Sequence, residues 1–439
     1  MESIALDPAF APKFSAYALG YIALGITLGT CSGLIPGIHA NNFALFLAGI
    51  APMLPGQPIF VGLAMLAAGV THTFLDAVPA LTIGVPEAAM AVAALPGHRM
   101  VLEGRGHEAL RLSALGSGIA VLLAIPLAIP ITWGMVRIYP FLREHMPIIL
   151  GTVVLVLLLT ERTRQAVIGG VISFLVSSIL GFLVLDLEPA APLDGGGVLA
   201  PLFAGLFGTP VLVDAMRGGG VPPQSGGAIR IPRRAVLWPA SAGSAAGAIV
   251  GYLPGVSSAI AAVIALVAIP NEDPDRDFIV ATSGVDTANT IFALFALVAI
   301  GAPRTGIMVA VEQADVPISL PAMLLSIAIA AAISFILVIL IGDWYLVTVG
   351  SVNYTIICGV VMGLLTVLAF LFAGVIGIIV FAVSSAIGFI PVRIGGKRVH
   401  LMCTGNVLVR VNERSLGRFK TSQGHRSAWS ETSPHVPSL

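Results

Sequence analysis

The sequence predicts an all-α polytopic membrane protein of about 11–13 transmembrane segments, in two inverted-topology repeats with broken or re-entrant helices. Three observations lead there. The 439 residues are 57% hydrophobic and 10% charged, with a mean hydropathy of +0.99; soluble domains are about a quarter charged. The apolar residues fall into runs long enough to span a bilayer. A glycine–proline motif also recurs at a fixed offset in the two halves of the chain.

A spanning helix needs about 20 mostly apolar residues, and fewer where it is buried in protein. Runs of this kind lie at 16–35, 39–54, 58–83, 112–136, 147–160, 165–185, 198–216, 237–253, 256–270, 278–300, 318–341, 355–372 and 373–391. Several are short or carry Pro and Gly, so some are expected as half-helices. The first fourteen residues lack the basic stretch of a signal peptide, and the first run is expected to be retained.

Charge orients the spans. Arginines collect at 99–111, 161–164, 217–234 and in the tail, whereas 186–197 holds Asp186, Glu188 and Asp194 without Lys or Arg. The positive-inside rule places the arginine loops and the C-terminus in the cytoplasm and the acidic segment outside. Thirteen crossings from an outside N-terminus satisfy this, with Arg137 and Arg143 as exceptions on the outer side. The location expected is the cell membrane, multi-pass. Zero formal net charge gives no footprint for nucleic acid. Cys31, Cys358 and Cys403 form neither a disulfide framework nor a zinc site. No P-loop is present, and neither a cofactor nor a structural metal is expected.

The repeat is read from two matches. "GTCSGLIPG" (29–37) and "GAIVGYLPG" (247–255) share G-x-x-x-G-x-x-P-G at an offset of 218, and "TIGVPE" (82–87) and "AIGAPR" (299–304) share G-x-P at 217. Six runs precede residue 190, six follow 235, and 198–216 stands between them, so the second half enters from the opposite face. The organisation expected is a first membrane repeat over 16–190, a linking span and cytoplasmic loop over 191–234, a second repeat over 235–392, and a polar cytoplasmic tail over 393–439.

Proline removes a helix donor, and flanking glycines let the backbone leave the helix. At membrane depth the freed groups need protein or water partners, so such a break lines a cavity or is buried. Pro36–Gly37 and Pro254–Gly255 are expected to start new half-helices whose bare N–H groups suit a carboxylate. His39, Asn41, Asn42, Ser257 and Ser258 follow as N-caps and substrate donors. Asp76, Glu87, Asp286 and Arg304 are charges within apolar surroundings, at about 3 kcal/mol each on insertion scales. Asp286 and Asn289 share a helical face and, with Asp76, are candidates to hold a cation; plain helix–helix hydrogen bonding is the alternative. Arg304 is a candidate partner for a substrate carboxylate or for Asp286. His72, at the position matching Asn289, reads as a packing residue.

"LPGHRMVLEGRGHEALRLSALGS" (95–117), with Gly97, Met100, Gly104, Arg105, Ala109 and Leu110, resembles the large membrane subunit of the tripartite tricarboxylate transporters. The paired G-x-x-P-G elements, "LFAGLFGTP" (202–210) and "DTANT" (286–290) are similar to that family as well. The resemblance covers residues from about 20 to about 392. It implies secondary uptake of an organic anion, a di- or tricarboxylate, coupled to H+ or Na+ by alternating access, with a small membrane subunit and an extracellular binding protein as partners; an oligomer is compatible with it. "GVTHTF" (69–74) departs from the family's G-G-S element, and Glu87 and Arg304 follow the G-x-P motifs where small residues are usual. These departures resemble a divergent, stand-alone branch. A channel and an intramembrane hydrolase are the rival readings. The hydrolase lacks H-E-x-x-H and G-x-S-G, and His98, Glu103, His107 and Glu108 read as a solvated cytoplasmic turn rather than a metal site.

Overall fold

The computed structural model describes residues 10–35, 40–83, 94–159, 161, 163–185, 187, 190–192, 198, 201–202, 204–216, 224, 234–253, 258, 261–262, 265, 273–348, 354–394 and 400–401. Among these residues the structure is helical, without strands. In chain order the helices are α1 (Phe10–Leu34), α2 (Ala40–Ile50), α3 (Pro58–Leu75), α4 (Ala77–Ile83), α5 (Ala94–Leu102), α6 (Gly106–Glu144), α7 (Met146–Leu159) and α8 (Arg164–Val184). A π-helical turn (Ala204–Gly208) leads into α9 (Thr209–Ala215). Then come α10 (Arg234–Tyr252), α11 (Pro274–Ile300), α12 (Gly306–Gln313), α13 (Leu320–Thr348) and α14 (Tyr354–Ile394).

Seven helices among the described residues are long and apolar enough to cross a membrane. The other expected spans are shorter or less apolar helices (α2, α7, α9, α10) or, like most of 256–270, lie outside the described residues. The expected pair 355–372 and 373–391 is one helix interrupted at Ala373 and Gly374, where Gly374 takes φ 56 and ψ −145, a conformation open only to glycine.

Local sequence sets the helix ends. Asp273 caps α11 by accepting from the Arg276 N–H at 3.4 Å, Pro274 occupies its first position, and Gly301 closes it in the left-handed region at φ 59. Thr305 caps α12 through the Met308 N–H, and Thr163 caps α8 through the Ala166 N–H.

Two helices form the axis of the bundle. Every residue of α3 from Ile59 to Leu75 is buried, and α11 is buried over nearly all of its length. Each carries a partner on a glycine stripe. On α1, Gly25, Gly29 and Gly33 abut Ala64, Ala68 and Leu75; on α10, Gly243, Gly247 and Gly251 abut Ala281, Val285 and Phe292. The glycines correspond at an offset of 218 and their contacts at 217. Small residues every fourth position let backbones touch, which is how helices gain packing in lipid. In both pairs the contacts advance together, so the two helices run parallel.

The axial helices cross in opposite senses. Thr73 Oγ1 lies 3.2 Å from Thr287 Oγ1, while Gly69, one turn earlier on α3, faces Thr290, later on α11. The outer long helices are exchanged between them. On α6, Ser113 meets Ser283 at 2.8 Å and Gly116 sits on the Val280 carbonyl of α11. On α13, Ser326 donates to the Leu63 carbonyl and Ser334 to Thr71 of α3, both at 2.9 Å. α6 and α13 also run antiparallel, pairing Gly118 with Phe335 and Leu110 with Gly342.

A second layer joins α14 to α8, α9 and the π-turn. Gly388 accepts the close approach of the Leu206 carbonyl, and Ser385 donates to Thr209 at 2.9 Å. This layer reaches the first at the start of α2, where Ile35 and Phe43 pack on its cluster and Phe46 meets Phe372 with ring centroids 6.4 Å apart. The stripe Ile168, Ile172, Leu175, Ile179 and Phe182 on α8 is exposed, as are Leu325, Ile333, Ile336 and Leu340 on α13; in a bilayer these faces meet lipid.

Candidate functional site

Among the described residues, Asp286 and Asp76 are buried on or next to the axial helices. Asp286 stands in the middle of α11, 6% exposed, and Ser258 donates its Oγ to Asp286 Oδ1 at 3.2 Å. The structure thus joins Ser258, four residues after Pro254 in the sequence, to the candidate ion-coupling carboxylate. Asn289, one turn further along α11, is half-buried. Asp76 sits at the junction of α3 and α4, 2% exposed, its backbone N–H bonded to the His72 carbonyl at 2.9 Å. A charge so placed is expensive in lipid, and such residues mark ion or substrate paths more often than packing.

The first turn of α2 is tied to α12. Asn41, in the first turn of α2, accepts the Ile307 N–H on its Oδ1 at 3.1 Å, and Gly306 leaves room for its side chain. The Asn41 oxygen therefore caps α12. Arg304, ahead of α12, donates to the Tyr139 hydroxyl at 2.9 Å and lies over that ring. Pro36, Gly37, His39, Glu87, Pro254, Gly255 and Ser257 lie outside the described residues, as does the side chain of Asn42.

His72, read as a packing residue, is buried at the α1–α3 interface and satisfied there. It is 2% exposed, and its Nδ1 lies 2.9 Å from Ser32 Oγ on α1. The sequence signal that could have found it is the spacing of His72 and Asp76, one turn apart on one helix face. Thr73, Thr287 and Tyr139 carried no such signal, because isolated hydroxyls are ordinary in transmembrane helices.

The 95–111 segment is more tightly packed than a solvated turn. Glu108 is buried at the head of α6 and accepts from Arg105 at 3.0 Å and from Arg276 of α11 at 2.6 Å. Arg99 lies 3.5 Å from Asp275. His107 and Arg111 both reach Asp343 of α13, at 2.5 and 3.2 Å, and Gln224 bridges the Gly106 N–H and the Val101 carbonyl. Helix heads from both halves of the chain thereby share one polar knot. Exposed ion pairs contribute little, but Glu108 is largely withdrawn from water, and there its partners matter.

Long helices with apolar outer faces, around two buried helices with a carboxylate within one and at the end of the other, define a multi-pass membrane protein. The sequence matches the tripartite tricarboxylate transporter TctA family over residues 19–403. The chain belongs to that family, a family of transport components and not of enzymes. It is similar to an uncharacterized protein of Methanocaldococcus jannaschii, 29% identical over 343 residues, which cover 76% of this chain and 82% of that protein. No solved structure matches it.

Proposed function

We propose that the chain is a secondary carrier that takes up a small organic anion, a di- or tricarboxylate, together with H+ or Na+ by alternating access. The observation that carries this reading is the crossing of α3 and α11. Two buried helices with matched glycine-packed partners pass each other in opposite senses, each with a carboxylate near the crossing. That geometry supports an inverted repeat with bounds at 16–190 and 235–392, joined by 191–234. Two such halves exchange roles when the site opens to the other side, a symmetry that a channel or an enzyme does not require.

In this mechanism the anion sits between the tips after Pro36–Gly37 and Pro254–Gly255. His39, Asn41, Asn42, Ser257 and Ser258 supply donors, and Arg304 counters a carboxylate. Asp286, Asn289 and Asp76 take the coupling cation. Moving one charge against the membrane potential costs about 2.3 kcal/mol per 100 mV, so a trivalent anion entering a negative interior faces about 7 kcal/mol. Three cations cancel that cost and a fourth turns the potential into a driving force. A small membrane subunit and an extracellular binding protein fit the family as partners, and the C-terminal tail, 393–439, is placed in the cytoplasm of a cell-membrane protein.

Counterflow tests the reading. Proteoliposomes preloaded with unlabelled citrate, or another carboxylate, are expected to accumulate labelled external anion transiently. Asp286→Asn is expected to abolish cation-driven uptake while the protein still inserts. Absence of counterflow across mono-, di- and tricarboxylates refutes the carrier, and wild-type uptake by Asp286→Asn refutes its coupling role.

A further inference from the structure

Ser32 and His72 form a buried hydrogen-bonded pair across the α1–α3 interface. The glycine contacts align α1 with α10 and α3 with α11, so the counterparts of Ser32 and His72 are Val250 and Asn289. The second half closes the same helix contact without a titratable group. What the first half adds is an imidazole, 2% exposed, hydrogen-bonded at Nδ1 and followed one turn later by a buried carboxylate.

We infer that His72, with Ser32 and Asp76, forms a proton-binding site and that transport is driven by H+; this rests on the carrier reading above. Imidazole exchanges a proton near neutral pH and offers nothing to Na+, a hard cation that takes oxygen ligands. The serine hydroxyl accepts from the Nδ1–H of an imidazolium or donates to a neutral ring, so it serves both states. A protonated His72 beside an ionised Asp76 is neutral as a pair. The proton taken up on His72 thus removes the negative charge that would repel a bound anion; proton and anion then cross together.

Among the described residues, the surroundings of His72 carry few competing charges. Of the elements packed on α3, α1 brings Ser32, α2 brings Asn41, and α13 brings Ser326 and Ser334. α11 brings Asp286, the neighbour of the Thr287 that meets Thr73. α12 brings Ile307 to Gly69, preceded by Arg304, which is bonded to Tyr139. The charges of the polar knot, Glu108, Arg276 and Asp343, stand toward the ends of their helices.

Two measurements decide it. In full-length protein labelled with [15N]histidine in nanodiscs, the His72 signal is identified by its loss in His72→Gln and its shift in Ser32→Ala. It is expected to change protonation state between about pH 5 and pH 8, and to move its midpoint in Asp76→Asn. A ring that stays in one state across that range overturns the proton site, whether or not the protein transports anything. In proteoliposomes with labelled citrate, a gradient of about one pH unit, acid outside, is expected to add about tenfold accumulation per proton carried. His72→Gln is expected to keep counterflow and lose that accumulation. Accumulation that follows a Na+ gradient and ignores pH overturns H+ coupling, while intact counterflow keeps the carrier reading. Absence of counterflow in the wild type defeats the carrier reading instead.

Discussion

Gly29 and Gly247 hold equivalent places in the two glycine stripes, so each is expected to respond in the same way to a single added methyl group. A Cβ on Gly29 would fall on the Ala68 carbonyl oxygen, 2.7 Å from Thr71 Cβ and 3.0 Å from Ala68 Cα. One on Gly247 would lie 2.7 Å from Ala288 Cβ and 2.8 Å from the Val285 carbonyl. These are backbone and Cβ atoms that no rotamer change can move, so the helices must separate. Overpacking of this kind costs about 1–3 kcal/mol, against a gain of about 1 kcal/mol from replacing a helical glycine by alanine. Gly29→Ala and Gly247→Ala are each expected to destabilise by up to about 2 kcal/mol, and so to fall about 1–3 kcal/mol below an alanine placed in open space. Gly20→Ala and Gly134→Ala, with nothing within 4 Å of the added carbon, are expected to be neutral or to stabilise by up to about 1 kcal/mol. Unfolding of the purified full-length chain in detergent, followed by tryptophan fluorescence, reads the difference. If Gly29→Ala and Gly247→Ala are as stable as the two controls, the close helix contacts on which the matched halves rest are wrong.

Glu108→Ala is expected to destabilise the chain by about 2 kcal/mol. Breaking a buried ion pair costs about 3–5 kcal/mol, here reduced because its arginine partners are partly exposed; an unchanged thermal midpoint would show the knot to be decorative. Asn41→Leu is expected to lower stability by about 1 kcal/mol through loss of the cap on α12, and Asn42→Leu to weaken anion affinity more than yield. Scanning stability and counterflow half-saturation together separates the two effects. Cysteines placed in 186–197 are expected to label from outside, and those in 217–234 only after permeabilisation; the opposite pattern reverses the proposed orientation.

Much of the bundle is legible in residue pattern because lipid leaves few alternatives to a helix with every backbone bond made internally. The runs at 165–185 and 278–300 match α8 and α11 closely, and the discontinuity placed between 372 and 373 falls where Gly374 breaks α14. The 95–111 segment was misjudged because charge alone implies solvation. Only the approach of α11 and α13 supplies Arg276 and Asp343 as partners. The bond of His72 to Ser32 is not legible in the sequence, because Ser32 lies 40 residues away, on another helix.

By itself the sequence determined the membrane class, the places of the helices, the twofold recurrence of its motifs and the family. The first two follow from local composition and periodicity, which act along the chain; the recurrence is read from specific motifs, and the family from their resemblance to it. Tertiary structure alone decided that α1 lies on α3 and α10 on α11, that α6 and α13 are exchanged between the axial helices, and that those axes cross in opposite senses. It also decided the partners of single polar atoms: Ser258 for Asp286, Ser32 for His72, and the Asn41 oxygen for the head of α12. The physical reason is that a hydroxyl or a carboxylate finds its partner across a helix interface, and sequence spacing carries no information about which helices will meet.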